Sequence, residues 1–262
     1  MILSRRVKLG ATYLDQLDSS IVIREVNIGT PTENVTTASL AGGAGSRILT
    51  SHWDTLDVDV RFAILLPKTQ ISERRAVWES VAAWAMGGEN GWLRTSEISD
   101  RRMWVDKAEM EAPGDFREWT NDYGITFHAI TVPYWQDETE TTVTKSIPAT
   151  TDYSFSVSVP GQAVTVADAE FTNTSGSTLT YFQIWTPDAN IDIEGLSIAN
   201  NAKITISHSN GRIRIFSGET NLLGYRTGVS GDDLYLKPGT QTVHVYAHKA
   251  GSLKLTVSGR YL

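Results

Sequence analysis

His244 and His248 stand four residues apart, a spacing at which two imidazoles on one helix face could share a metal ion. The run that holds them, Thr242-Val243-His244-Val245-Tyr246-Ala247-His248, alternates as a strand does. In a strand the two rings lie roughly 13 Å apart at about 3.3 Å per residue, too far for one ion, and no third ligand is evident. No metal and no other cofactor is therefore expected. Asp57 and Asp59 alternate with valines and point to one face, as a carboxylate pair for glycoside hydrolysis would. A half-exposed strand needs the same pattern, and nothing in the local sequence would raise either pKa. His52-Trp53-Asp54 lacks a nucleophile, because the chain has no cysteine and no Gly-x-Ser-x-Gly elbow. The glycine run Ala41-Gly42-Gly43-Ala44-Gly45 continues as Ser46-Arg47 rather than Gly-Lys-Ser/Thr and does not open a helix, so it is no phosphate cradle. The chain is expected not to be an enzyme, and a cell-wall hydrolase using Asp57 or Asp59 ranks last among its alternatives.

A different chemistry is suggested by His208-Ser209-Asn210-Gly211-Arg212, which looks like the first part of the galectin sugar motif. The downstream tryptophan on which galactose would stack has no counterpart, since Trp185, alone in its half of the chain, lies upstream. Asn210-Gly211 between two alternating runs is also the preferred type I′ turn, predicting a hairpin over 203–216. Trp185, His208, Asn210 and Arg212 are thus candidates for recognising a host-surface glycan, as in a carbohydrate-binding module. This is the main alternative to a purely structural role.

Composition narrows the class. A chain of 262 residues can bury one or two cores without disulfides, and with no cysteine it carries no redox signature. The net charge of −7 argues against binding nucleic acid through its phosphates. No apolar run approaches the roughly 20 residues that span a bilayer, and the start lacks the long apolar core of a signal peptide, so neither membrane insertion nor export is expected.

The elements that must position these residues fall into two groups. Seven of the eight tryptophans precede Asp137, whereas the remainder is rich in Ser, Thr and Val. That shift predicts an N-terminal β domain over 1–137 and a C-terminal β-sandwich over 138–262, joined through a linker at 136–142. In the first, alternation over 21–26 and 56–62 marks strands, with further strands at 92–94, 102–105 and 124–130. Segment 30–47 has too little apolar surface to pack and reads as a long mobile loop. One helix is expected over 72–86, with Ser72 as N-cap, Ile71 and Ala76 as staple and Gly87-Gly88 as the stop. Its stripe Val77, Val81, Trp84 is a core face. In the second, strands are expected at 153–159, 164–171, 179–185, 203–207, 212–216, 242–247 and 253–257, the punctuation of a sandwich.

Taken in order, these features resemble the distal tail protein family of phages with long non-contractile tails. The series runs through Arg47-Ile48-Leu49, the strand Val58-Asp59-Val60-Arg61-Phe62 and the helix carrying Glu73, Arg74 and Arg75. It continues through Trp92-Leu93-Arg94, Arg101-Arg102-Met103-Trp104-Val105 and Pro133-Tyr134-Trp135. Asp233-Leu234-Tyr235-Leu236-Lys237-Pro238-Gly239, followed by Val243-His244-Val245-Tyr246, is similar to the Leu-x-Pro-Gly turn and strand of that family's galectin-like domain. The resemblance implies a mainly β chain: a ring-forming N-terminal domain with one helix, and a galectin-like or carbohydrate-module-like sandwich. It implies a homohexamer at the virion's tail tip, assembled in the host cytoplasm. The ring would join the tail tube protein to a tail-tip hub, tail-associated lysin or receptor-binding protein around a DNA channel. An acidic wall suits passage, because a basic one would hold DNA by counterion release. The expected protomer contacts are the exposed remainder of the tryptophan-rich half and the segment 30–47.

Overall fold

The computed structural model describes residues 5–39, 46–112, 122–209, 212–231 and 233–262. Among them, antiparallel strand dominates and one α-helix is present. The chain forms two compact units, Met1–Trp135 with Leu262, and Gln136–Tyr261.

The first unit contains an antiparallel sheet ordered Ile21–Ile28, Leu56–Ile64, Tyr123–Ala129, Lys107–Met110. Its second strand shows why alternation predicts a face: Leu56, Val58, Val60 and Phe62 are fully buried, while Asp57, Asp59 and Arg61 point away. Strands Thr12–Tyr13, Val7–Leu9, Gly91–Thr95 and Ile98–Val105 lie side by side in that order and bury Val7, Leu9, Leu93, Met103 and Val105.

Helix Ile71–Gly87 packs on Lys107–Met110 and Leu56–Ile64 through Val77, Val81 and Ala85. Trp84, expected in that stripe, is half-buried with its ring edge-on to Phe127. Ser72 is not the N-cap. The helix already includes Ile71, Gln70 precedes it without a side-chain capping bond, and the Ser72 hydroxyl donates to Glu73 instead. Placing a cap from side-chain type fails here because Ile71 already takes helical geometry and moves the cap two residues back, to Gln70. Gly88 ends the helix at a negative φ, so glycine is needed for space rather than for left-handed geometry: a Cβ there would lie 2.1 Å from Leu9 Cδ2. Arg74 is buried on the core side, which its residue type did not suggest.

Segment 30–47 is not simply a loop. Glu33–Ser39 and Ser46–Trp53 pair as an antiparallel ribbon with a register shift at Thr36/Thr37. Main-chain hydrogen bonds make such a ribbon, so it needs none of the apolar packing whose absence suggested a loop. The glycine run 41–45 lies outside the described residues.

The second unit is a β-sandwich. One sheet is ordered Thr141–Ile147, Gly251–Val257, Asp168–Asn173, Lys203–Ser209, Arg212–Ser217, Thr220–Asn221. The other is ordered Tyr153–Val159, Gly239–Ala247, Leu179–Thr186, Ala189–Ile198. Phe171 from the first and Phe182 from the second meet at 4.8 Å between ring centroids in one apolar core with Ile204, Ile206, Val243 and Val245. Gly251 lets the Asp168–Asn173 strand approach, since a Cβ there would meet the Thr172 carbonyl oxygen at 2.4 Å. The predicted hairpin is present, with Ser209 opposite Arg212, although its turn residues Asn210 and Gly211 lie outside the described residues.

Asn173 is fully buried and ties a turn to the sheet. Its amide donates to the carbonyls of Ser177, Ile198 and Ala199 at 2.7, 3.0 and 3.2 Å, and its oxygen accepts from the Ser175 N–H and hydroxyl. Asn173→Ala orphans several of these groups and should lower unfolding free energy by about 2–3 kcal/mol in denaturant melts.

Candidate functional site

In the first unit, the ribbon is the most exposed apolar feature. Val35, Ile48 and Leu49 are 44%, 61% and 57% exposed. Ile48 stands opposite Thr37, and Leu49 is the extra residue at the register shift, so two consecutive apolar side chains are left uncovered. An isolated two-stranded ribbon is marginal in water, and a strand edge is a template on which another chain can pair. The tryptophans offer less. Trp135 is buried, and Trp92 and Trp104 are half-buried and pack edge to face at 5.1 Å beneath the Arg102 guanidinium. Trp119 lies outside the described residues.

The carboxylates singled out in sequence have cross-strand partners. Asp57 meets His128 Nδ1 at 2.7 Å, and Asp59 accepts from the Thr126 hydroxyl at 2.6 Å. At the far end of the same strand Arg61 pairs with Glu111; Arg61, the Arg24–Asp122 ion pair at 3.1 Å, Arg5 and Glu25 line a shallow polar cleft. Arg61 and Arg24 each have a carboxylate partner, and pairing of exposed ions contributes about 0–1 kcal/mol each.

In the second unit, the proposed glycan residues divide between sheets. His208 and Arg212 belong to the six-stranded sheet. The His208 ring lies between Asp168 and Asp233, at 3.0 and 2.9 Å, so its nitrogens face carboxylates of its own chain. Trp185 belongs to the four-stranded sheet and stacks on His244 with centroids 5.1 Å apart and planes 16° from parallel. His248 instead leans on Tyr181 at 5.1 Å. The two histidines thus serve different aromatic neighbours, and no group of three metal-ligating side chains occurs among the described residues.

Tyr181 is the perturbed acid of this face. Burial, followed by the neighbouring Asp192 carboxylate, pushes its phenol up to about 12. The folded pKa lies above the unfolded value of about 10, so the associated stability is intact below pH of about 10 and disappears as pH rises through 12. Tyr181→Phe should remove that decline from alkaline unfolding profiles, and a difference titration at the phenolate absorbance should lose one late-titrating tyrosine. Sequence inspection missed Asp192, whose burial is a property of the finished sheet.

These units define a mainly β protein whose reachable features are an apolar ribbon and a polar-aromatic sheet face. Among solved structures, the Dit protein of phage SPP1, a hub protein of the adsorption apparatus in phages infecting Gram-positive bacteria, has the same fold. The match has a TM-score of 0.66 at 13% identity and covers 97% of this chain and 98% of that one. A chain of the phage p2 baseplate in its activated conformation aligns over 96% of this chain and 97% of its own, at 10% identity and TM-score 0.45, too loosely to add to the argument. No family model and no curated protein matches the sequence.

Proposed function

We propose that this chain is a structural component of a phage tail tip, a distal tail hub rather than an enzyme. The observation that carries the proposal is the fold shared with the SPP1 hub protein along nearly the whole of both chains. The protomers close a homohexameric ring at the end of the tail tube, holding the tail-tip lysin or receptor-binding assembly below and leaving a channel for DNA. Head-to-tail contacts repeat until the rotation closes, and permanent contacts of this kind bury at least about 1,200 Å². The ribbon Glu33–Ser39 and Ser46–Trp53 suits such a contact, because its apolar residues Val35, Ile48 and Leu49 are exposed.

Light scattering across a concentration and salt series, with negative-stain imaging of any large species, tests this. A closed sixfold ring with an open centre is expected. A chain that stays monomeric at every concentration and is absent from the tails of purified virions overturns it.

A further inference from the structure

The outward face of the four-stranded sheet in the second unit carries a row of groups that the tail role does not use. Tyr181, Gln183 and Trp185 alternate along Leu179–Thr186 and are all half-buried, while Phe182 and Ile184 between them enter the core. Across the ladder, His244 stands opposite Trp185 and Tyr246 opposite Gln183, also half-buried. The Tyr181 and Tyr246 rings are 5.8 Å apart. Aromatic rings therefore flank an amide on a rigid sheet, with their faces partly open. This is what a sugar ring needs: apolar C–H faces stack on aromatics while equatorial hydroxyls meet polar side chains.

Beside this row, on the same face of the neighbouring strand, the hydrogen bonding is short of one donor. The Gln183 amide nitrogen donates to Asn190, whose own amide donates to the Val229 carbonyl. Asp192 is 94% buried, and its Oδ2 accepts from the Thr227 hydroxyl at 3.0 Å, but its Oδ1 has no partner among the described residues. Tyr181 has one proton and two acceptors within its influence. It donates to Gln183 Oε1 at 3.2 Å, while Asp192 is close enough to perturb its pKa. A buried carboxylate oxygen without a donor is costly. If the phenol turns its proton to Asp192, Gln183 Oε1 is left open to the surface, and a hydroxyl from outside would satisfy it.

We infer that this face binds a neutral oligosaccharide, stacked on Trp185 and Tyr246 and donating a hydroxyl to Gln183 Oε1. The surrounding charge selects neutrality: Asp192, Glu194 opposite Tyr181, and Asp152 within 3.5 Å of His244 Nδ1 are carboxylates that repel a polyanionic polymer. The site lies on the opposite sheet from His208 and Arg212. It does not depend on ring formation, so the two proposals stand or fall separately.

Titration calorimetry of the full chain against cellohexaose, maltohexaose, β-1,4-galactan oligomers and chitohexaose, with poly(glycerol phosphate) as the anionic probe, tests the inference. Saturable binding of at least one neutral sugar is expected, with no response to the polyanion. Trp185→Ala and, independently, Gln183→Ala should each weaken that binding about tenfold or more, while Arg212→Ala leaves it unchanged. Gln183→Ala removes no core atom and guards against a folding artefact of the tryptophan variant. Silence toward every neutral sugar, binding that survives both substitutions, or loss on Arg212→Ala instead would each overturn the proposal.

Discussion

Ile48→Glu combined with Leu49→Glu is expected to leave the chain folded and hold it as a monomer under conditions where the unsubstituted chain forms rings. Both side chains are more than half exposed on the ribbon and belong to neither core, so the folding cost of each change should stay within about 0.5 kcal/mol. In a protomer contact the same positions would become buried. Desolvating a carboxylate without a partner costs several kcal/mol, and a ring repeats the penalty at every contact. Sedimentation or light scattering beside circular dichroism separates the two effects. Rings that persist in the double variant would move the protomer contact away from this ribbon.

The largest expected loss of stability comes from Phe182→Ala. Its ring is fully buried and meets Phe171 across the sandwich, so truncation leaves a cavity between two sheets whose other core side chains hold them apart. A cost of about 3–5 kcal/mol is expected, a large share of the roughly 5–15 kcal/mol that holds a domain folded. Val229→Ala, at a site 70% exposed, should change the same melts by no more than about 0.5 kcal/mol. Comparable effects from the two substitutions would contradict the assigned core.

Several elements follow from the residues alone, because their side-chain period is their cause. Over 56–62 the strand alternates and buries every second residue, as a strand must when one face meets a core, before Ala63 and Ile64 are both buried at its end. Val77 and Val81 fall on the buried stripe of the helix at the period of 3.6. Two long strands of the second unit escaped this logic, besides the short ones Thr220–Asn221, Tyr235–Leu236 and Arg260–Tyr261. Thr141–Ile147 is an edge strand, polar along most of its length, and it overlaps the expected linker. Ala189–Ile198 contains Asp192 and a left-handed Gly195, residues that mark turns when met in isolation.

The sequence determined the mainly β class and the single helix, because both depend on local periodicity and turn chemistry, and it carried the ordered motifs that resemble distal tail proteins. Tertiary structure alone decided the rest. Pairing of 33–39 with 46–53 rests on main-chain hydrogen bonds, which leave no side-chain pattern to find. The separation of Trp185 from His208 and Arg212 follows from which strand joins which sheet. That choice is made by long-range burial, as is the covering of Asp192 beside Gln183, and neither residue type nor spacing encodes it.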